Sequence, residues 1–147
     1  FTITTQEDML RTLSNILDIL TLAVGALGSI SLAVGGVGIV TIMTIAVAER
    51  TSEIGLLVAL GAPRRTILCI FLGEAVALSA LGGVAGLLLG FALAQLIHLF
   101  VPALPVHTPL AFVALAEALA IAIGLLAGVL PARRAARLDP VNALRAE

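Results

Sequence analysis

The chain has 147 residues, of which 61% are hydrophobic and 12% carry a charge, and its formal net charge is −1. A soluble domain of this length could not cover its surface with so few charged groups, so the composition predicts an integral membrane protein. A span takes about 20 residues, so the length allows about three spans with their connections. The nearly neutral net charge gives no indication of a nucleic-acid partner.

The first 18 residues begin in an extended pattern and then become helical. Thr2, Ile3 and Thr4 alternate like the end of a strand. From Thr5 onward the apolar residues recur with helical spacing, and Thr5 followed by Asp8 resembles a helix start. We therefore expect an amphipathic helix over residues 1–18 that runs into the first span without a break. Because the chain opens in a polar segment, we interpret it as a piece of a longer chain.

Three apolar stretches are expected to cross the membrane, at about 19–48, 76–99 and 110–130. The first would be about 45 Å long against a hydrocarbon core of about 30 Å, so it must tilt or protrude. Residues 66–74 are expected to form an interfacial turn or a slanted entry to the second span. Pro131 is expected to end the third span. The segment 132–147 would be a cytoplasmic tail, with a last short helix started by Asp139 and Pro140.

Small residues recur four positions apart in all three spans, and this spacing lets neighbouring helices approach closely. The glycines expected to pack in this way are Gly35, Gly82, Gly86, Gly90, Gly124 and Gly128. In the second span the series continues to Ala94 and forms one smooth stripe, which is a stronger signal than a single pair. The alternative is that glycine is simply common in membrane spans.

Two carboxylates fall within or beside the apolar stretches. A charge at the centre of the bilayer is costly, so Glu74 is expected to lie near the interface. Glu117 falls in the outer half of the last span. It could line a polar path, bond to a neighbouring span, or lie close enough to the outer interface to be hydrated, and the sequence leaves these three readings open.

The segment 49–65 is a charged stretch between two long apolar ones, yet its middle is apolar. We expect a short helix over 49–61 that lies at the membrane surface. Its expected contact residues are Ile54, Leu57, Val58 and Leu60. Gly61 is expected to end this helix, and Pro63 to occupy the first position of the next one. The alternative is a simple connection that joins two spans and touches nothing.

The placement of arginine predicts the orientation in the membrane. The 49–65 segment holds three arginines and the tail holds four, whereas the proline-rich loop 101–109 holds none. Arginines gather on the cytoplasmic side of membrane proteins. The N-terminus and the 101–109 loop are therefore expected outside, and the 49–61 helix and the C-terminus in the cytoplasm.

The sequence contains no recognisable catalytic or metal-binding pattern. His98 precedes the proline-rich loop and His107 lies within it, nine positions on and without metal-ligand spacing. No glycine-rich loop ends in lysine, so we expect no nucleotide site in this chain. We accordingly expect no catalytic residue, no metal and no cofactor bound by the chain itself.

Several motifs occur together along the chain. They are VGGVGI at 34–39, ERTSEIG at 49–55, ALGA at 59–62, Glu74-Ala75, PARRAARLDP at 131–140 and Ala143-Leu144-Arg145. In this combination the chain resembles the FtsX-like permease domain of MacB-type ABC transporters. The resemblance runs from about Thr5 to Glu147, and the combination of motifs is specific.

The resemblance implies the permease subunit of an ABC transporter, which passes ATP-driven conformational change across the membrane to export or extrude a substrate. The 49–61 helix would then be the coupling helix that docks on a cytoplasmic ATPase. Its implied coupling residues are Glu49, Arg50, Glu53, Ile54, Gly55, Leu57, Val58 and Gly61. The charged residues would set the register, and Gly55 would let the backbone of the partner approach closely. ATP and Mg would be bound by the partner ATPase.

The resemblance also implies a bacterial inner-membrane location and further partners. These are a second permease copy or homologue, membrane lipid, and a periplasmic or outer-membrane partner. The N-terminal helix would be a stalk leading from an extracytoplasmic domain, with one more span before that domain. Two alternatives remain: a non-transporting FtsX-type transmitter that regulates an extracytoplasmic partner, and a structural three-span protein without an ATPase.

Overall fold

The structure is a computed structural model that describes residues 2–103 and 107–145. Within these residues there are helices and connections but no strand. The helices are α1 (Thr2–Glu49), α2 (Thr51–Ala59), α3 (Arg64–Phe100), α4 (Leu110–Ala136) and α5 (Pro140–Leu144). By length and composition, α1, α3 and α4 can each cross a membrane. The predicted class, an all-α integral membrane protein, is confirmed.

The N-terminal segment is helical from Thr2, so the predicted extended start and the helix start at Thr5 are both wrong. A strand needs a neighbouring strand for its backbone groups, and the described residues contain none. A helix satisfies those groups locally. The hydroxyl of Thr12 follows the same local pattern and donates to the carbonyl oxygen of Asp8 at 2.8 Å.

The chain divides into two compact units, one up to Gly35 and one from Gly36 onward. In the first unit most of the large apolar side chains are exposed. Between residues 19 and 35 the hydroxyls of Thr21, Ser29 and Ser31 donate to the carbonyl oxygens of Leu17, Gly25 and Leu27 within the helix. This part of the helix, with its apolar surface and internally bonded hydroxyls, is suited to a lipid environment.

The second unit has its buried core at the end where α2 and α5 lie. The core side chains come from α1, α2, α3 and α4, and are Met43, Val47, Ile54, Ile67, Phe71, Ala75, Ala132, Ala135 and Ala136. Towards the other ends of α3 and α4, apolar side chains such as Leu89 and Phe112 are exposed. The protein interior is therefore concentrated beneath α2, and lipid is left to cover the rest of the spans.

α3 is one uninterrupted helix, so the turn predicted within 66–74 is absent and the slanted entry remains. Its 37 residues extend about 55 Å, well beyond a hydrocarbon core of about 30 Å. Pro63 precedes the helix with φ −67° and ψ 145°, so it caps α3 and does not occupy its first turn as predicted. This extended ψ means that the helix begins only at Arg64.

α4 continues through Pro131 to Ala136, so the prediction that Pro131 ends the helix is wrong. Proline has no amide hydrogen and therefore cannot bond to the carbonyl group four residues earlier. Here the surrounding turn is buried: Pro131 is fully enclosed, and Ala132 and Ala135 belong to the core. Packing from neighbouring helices outweighs the loss of one backbone hydrogen bond, as it does in other membrane helices.

The predicted helix end at Gly61 is confirmed. Gly61 has a φ of 92°, a left-handed conformation that glycine adopts without strain. Its amide donates to the carbonyl of Val58 at 3.1 Å, and the amide of Ala62 donates to the carbonyl of Leu57 at 3.0 Å. This pair of bonds is a Schellman motif, and it fixes the turn between α2 and α3.

α3 and α4 pack on each other through small residues. Gly124 lies against Ser79, and Gly128 lies against Ala75, with no room for a Cβ atom at either glycine. A third close contact joins Gly36 of α1 to Ile123, whose Cγ2 would lie 3.2 Å from a Cβ at Gly36. This contact falls on the residue next to the predicted Gly35.

The glycine stripe predicted on α3 takes no part in this close packing. Apart from the adjoining backbone of α3, a Cβ atom added at Gly82, Gly86 or Gly90 would meet no atom of the described residues within 4 Å. Gly86 and Gly90 instead line an open apolar cleft of about 520 Å³ together with Val113 and Ala116 of α4. A role for this stripe in packing against another chain stays a prediction.

We expect Gly128→Ala to destabilise the protein, because the new Cβ would overlap the side chain of Ala75. Overpacking of this kind costs about 1–3 kcal/mol. Gly86→Ala is the matched control, because it makes the same change in an open cleft and slightly favours the helix. Thermal unfolding of the purified permease in detergent compares the two, and an equal loss in both would contradict this account of the packing.

Candidate functional site

The helix predicted over 49–61 is shorter in the structure, where α2 covers Thr51–Ala59. Glu49 is the last residue of α1, and Arg50 separates the two helices with φ −101° and ψ 18°. The backbone bonds continue across this residue, since the amide of Arg50 donates to Ala46 at 3.1 Å and the amide of Ile54 donates to Arg50 at 3.0 Å. The direction of α2 is therefore tied closely to the end of α1.

The apolar residues of α2 divide between two faces. Ile54 is 3% exposed and belongs to the core, and Val58 packs against that core. Leu57 is 43% exposed and Leu60 is 77% exposed. The predicted contact face is thus split: Ile54 and Val58 hold α2 on its own chain, and Leu57 and Leu60 remain available to a partner.

The outward face of α2 also carries acidic groups. Glu53 stands in the first turn of α2, Glu49 precedes it, and both side chains are exposed. Leu56, which the sequence analysis did not single out, is exposed beside them. An apolar patch bordered by carboxylates is a surface that can bind a protein partner, with the charges fixing orientation.

α5 packs directly on α2 at Gly55. A Cβ atom added there would lie 2.7 Å from the Cβ of Ala143, which is itself buried. The close approach expected at Gly55 is therefore made by the C-terminal helix of the same chain, and its assignment to the backbone of a partner is wrong. The position of Gly55 beneath α5 leaves no space for a second occupant.

The short α5 helix is held in place by its own N-terminal cap. The Oδ1 atom of Asp139 accepts a hydrogen bond from the amide of Val141 at 3.2 Å, and Pro140 is the first residue of the helix. Both features agree with the prediction for Asp139 and Pro140. The tail thus supplies a folded support for α2. We call α2 and α5 together with the core beneath them the coupling platform.

A salt bridge ties the start of the coupling platform to α3. Arg50 Nη1 donates to Glu74 Oε1 at 2.9 Å, with side-chain exposures of 53% and 37%. Exposed pairs contribute only about 0–1 kcal/mol, so this pair links Arg50 to α3 but adds little stability. Sequence reasoning placed Glu74 near the interface but missed its partner. The signal for that partner was the opposite charge of Arg50, which stands at the start of the 49–65 segment.

Glu117 packs against the backbone of α3. Its carboxylate lies directly against Gly83, where no Cβ atom would fit. Its Oε2 atom is buried and accepts no hydrogen bond from the part of the chain that the structure describes. The sequence left three roles open for Glu117. One of them, a hydrogen bond from Oε2 to a neighbouring span, is not made within these residues. Gly83, which was not among the predicted packing glycines, is the glycine that accommodates this side chain.

Comparisons of the chain with known proteins agree on one family. Residues 25–140 match the family model for the FtsX-like permease C-terminal domain. Over its full length the chain is 45% identical to the macrolide export ATP-binding/permease protein MacB of Marinobacter nauticus and 43% identical to the pyoverdine export ATP-binding/permease protein PvdT of Pseudomonas fluorescens. The chain covers 22% of the length of each of these two relatives.

A relative with a shorter sequence matches as well. Over 126 residues, which are 86% of the chain, the identity to the uncharacterized ABC transporter permease YvrN of Bacillus subtilis is 44%. The match covers 31% of that protein. The chain therefore spans less than a third of the length of each relative named here.

We expect Gly55→Ala to loosen α5 from α2, because the added methyl group would press on Ala143. Ala143→Gly removes the opposing methyl group, so the double variant Gly55→Ala/Ala143→Gly should recover most of the stability that the single variant loses. Overpacking predicts a loss of about 1–3 kcal/mol for the single variant. Limited proteolysis of the C-terminal segment in detergent reports the contact, and a double variant as labile as the single one would refute it.

Proposed function

The chain belongs to the FtsX-like permease family and is an ABC transporter permease of the membrane, and from this premise we propose that it passes ATP-driven motion across the membrane to export a substrate. The observation that carries the proposal is the coupling platform. It presents an outward face of leucines and carboxylates, and it stands on a core shared by α1, α3 and α4.

The outward face of α2 would bind an ABC ATPase. Leu56, Leu57 and Leu60 would enter an apolar groove of the ATPase, and Glu49 and Glu53 would set the register at the edge. The coupling role foreseen for Ile54, Val58 and Gly61 becomes indirect, because these residues hold α2 and its end in place. ATP and Mg would be bound by the ATPase, and this chain would bind no cofactor.

Motion of α2 would reach three spans at once. α1 ends one residue before α2 begins, the Arg50–Glu74 salt bridge connects that junction to α3, and the core includes Ala132 and Ala135 of α4. Close-packed interiors compress little and transmit strain. A push on the outward face of α2 would therefore displace the ends of all three helices together.

Export is the function that the relatives favour, since MacB and PvdT are both named for it. The two names give different substrates, a macrolide and a pyoverdine, to relatives of similar identity to this chain. We place substrate choice in other parts of the full protein. The working unit would include a second permease copy or homologue and a periplasmic or outer-membrane partner, and would lie in a bacterial inner membrane.

The first test concerns binding of the ATPase by the outward face of α2. Loss of a buried leucine contact costs about 1.5–3 kcal/mol, so Leu60→Asn should weaken binding of the ATPase about tenfold or more. The matched control is Leu99→Asn near the far end of α3, because Leu99 is 76% exposed and Leu60 is 77% exposed. Co-purification of the ATPase and its activity in proteoliposomes are the measurements.

Both variants should insert in the membrane and fold, because neither residue is buried in the chain. If Leu60→Asn binds and stimulates the ATPase as the unaltered protein does, α2 is only a connection between two spans. If Leu99→Asn impairs binding equally, the effect belongs to membrane insertion rather than to docking.

The second test concerns orientation, which we propose to be N-terminus outside and C-terminus cytoplasmic. Cys69 is exposed on the chain and is first replaced by alanine. In that background Ala103→Cys should react with a membrane-impermeant thiol reagent added to intact cells, and Leu60→Cys should react only after permeabilisation. Both positions are exposed in the structure. Labelling with the opposite sidedness would exclude a cytoplasmic α2, and with it the coupling role.

A further inference from the structure

Four arginines stand where α3 begins and α4 ends. Arg64 and Arg65 stand in the first turn of α3, and Arg133 and Arg137 stand at the end of α4. Together with Leu68 and Ala136 they line one open groove of about 250 Å³. Half of the eight basic residues of the chain thus line a single groove.

The charge of this arginine groove is not compensated within residues 2–103 and 107–145. No carboxylate in those ranges lies within 4 Å of any of the four guanidinium groups, and the salt bridge formed there is between Arg50 and Glu74. The N-terminus of α3 adds a partial positive charge beside Arg64 and Arg65, whereas the C-terminus of α4 carries a partial negative one. Four arginines that border one groove would give it a positive potential that favours an anion.

The floor of the groove is apolar. Ala136 is buried, and Leu68 is half-buried and packs against the core. Both helices that form the walls are long and apolar enough to cross a membrane, and the groove lies at one end of each. A ligand that suits all of these features has a phosphate for the arginines and an apolar body for the floor, and reaches the groove from the bilayer.

We propose that this groove binds the headgroup of an anionic phospholipid. Planar guanidinium groups bind phosphate oxygens in pairs, and basic pockets between membrane helices are known to hold such headgroups. The phosphate would lie among Arg64, Arg65, Arg133 and Arg137, and the first carbons of the lipid would cover Leu68 and Ala136. A bound lipid would thereby fasten the end of α4 to the start of α3, beside the coupling platform.

A lipid explains the apolar floor, which a free phosphate ion would not use. It also explains why the groove lies between two spans rather than on the outward face of α2, where an ATPase would bind. The inference does not depend on the export function, because it concerns a site that is present in any assembly of this chain.

The test removes two charges from the groove and two charges from elsewhere. The groove variant is Arg65→Gln/Arg133→Gln, and the control variant is Arg134→Gln/Arg145→Gln, which changes exposed arginines outside the groove. The purified full-length permease is titrated with phosphatidylglycerol in detergent, with phosphatidylcholine as the uncharged reference, and bound lipid is counted by native mass spectrometry.

We expect the unaltered protein to prefer phosphatidylglycerol and the control variant to keep most of that preference. Each arginine near an anionic lipid contributes about a factor of five, so the groove variant should bind about 25-fold more weakly. Equal loss in both variants, or no preference over phosphatidylcholine, would overturn the proposal. Displacement of the lipid by millimolar inorganic phosphate would assign the groove to a free anion. Unchanged lipid binding with loss of the ATPase would assign it to an acidic protein surface.

Discussion

The packing of α2 on the core of its own chain is the constraint on which the rest of this structure depends. Ile54 enters a core built from four helices, and Gly55 allows α5 to close over it. Without this attachment, α2 would be a flexible connection between two spans. With it, α2 becomes a rigid surface whose position is determined by the ends of α1, α3 and α4. The same packing separates the residues of α2 that remain exposed from those that hold the helix.

The distribution of burial explains how so apolar a chain keeps one defined arrangement. In a bilayer the hydrophobic effect does not drive helices together, so close contact and polar links must do so. Gly124 and Gly128 supply the close contact between α3 and α4, and the Arg50–Glu74 salt bridge supplies a polar link at the interface. The open cleft beyond them, lined by Gly86 and Gly90, shows that the two spans are not in close contact along their full length.

The sequence predicted the fold class and two of the local helix boundaries, because these depend on composition and on a few adjacent residues. Gly61 ends α2 through its own φ angle, and Asp139 caps α5 through its own side chain. The helix end predicted at Pro131 was wrong, because packing of other helices around this turn keeps the helix intact. The alternation over Thr2–Thr4 was too short to indicate a strand, and these residues form the start of α1.

The functional site was predicted in part, for a related physical reason. Periodicity shows which residues share a face of a helix, but it does not show what that face will meet. Leu57 and Ile54 therefore looked alike in sequence, although one is exposed and the other buried. Gly55 was correctly singled out as a place of close approach, but its neighbour lies far along the chain at Ala143. In the sequence, the residues of the arginine groove appeared only as two separate basic clusters, one at 64–65 and one at 133–137.

The contact between Gly55 and Ala143 also sets the order in which this protein can mature. α2 is synthesised before α3 and α4, whereas the helix that closes over it is the last described element of the chain. A ribosome would thus insert all three spans before α2 gained its support, and such long-range contacts form late in folding. The outward face of α2 would become rigid only once α5 had been synthesised. An ATPase that requires the rigid form would then engage chains that include α5 and leave chains truncated before it unbound.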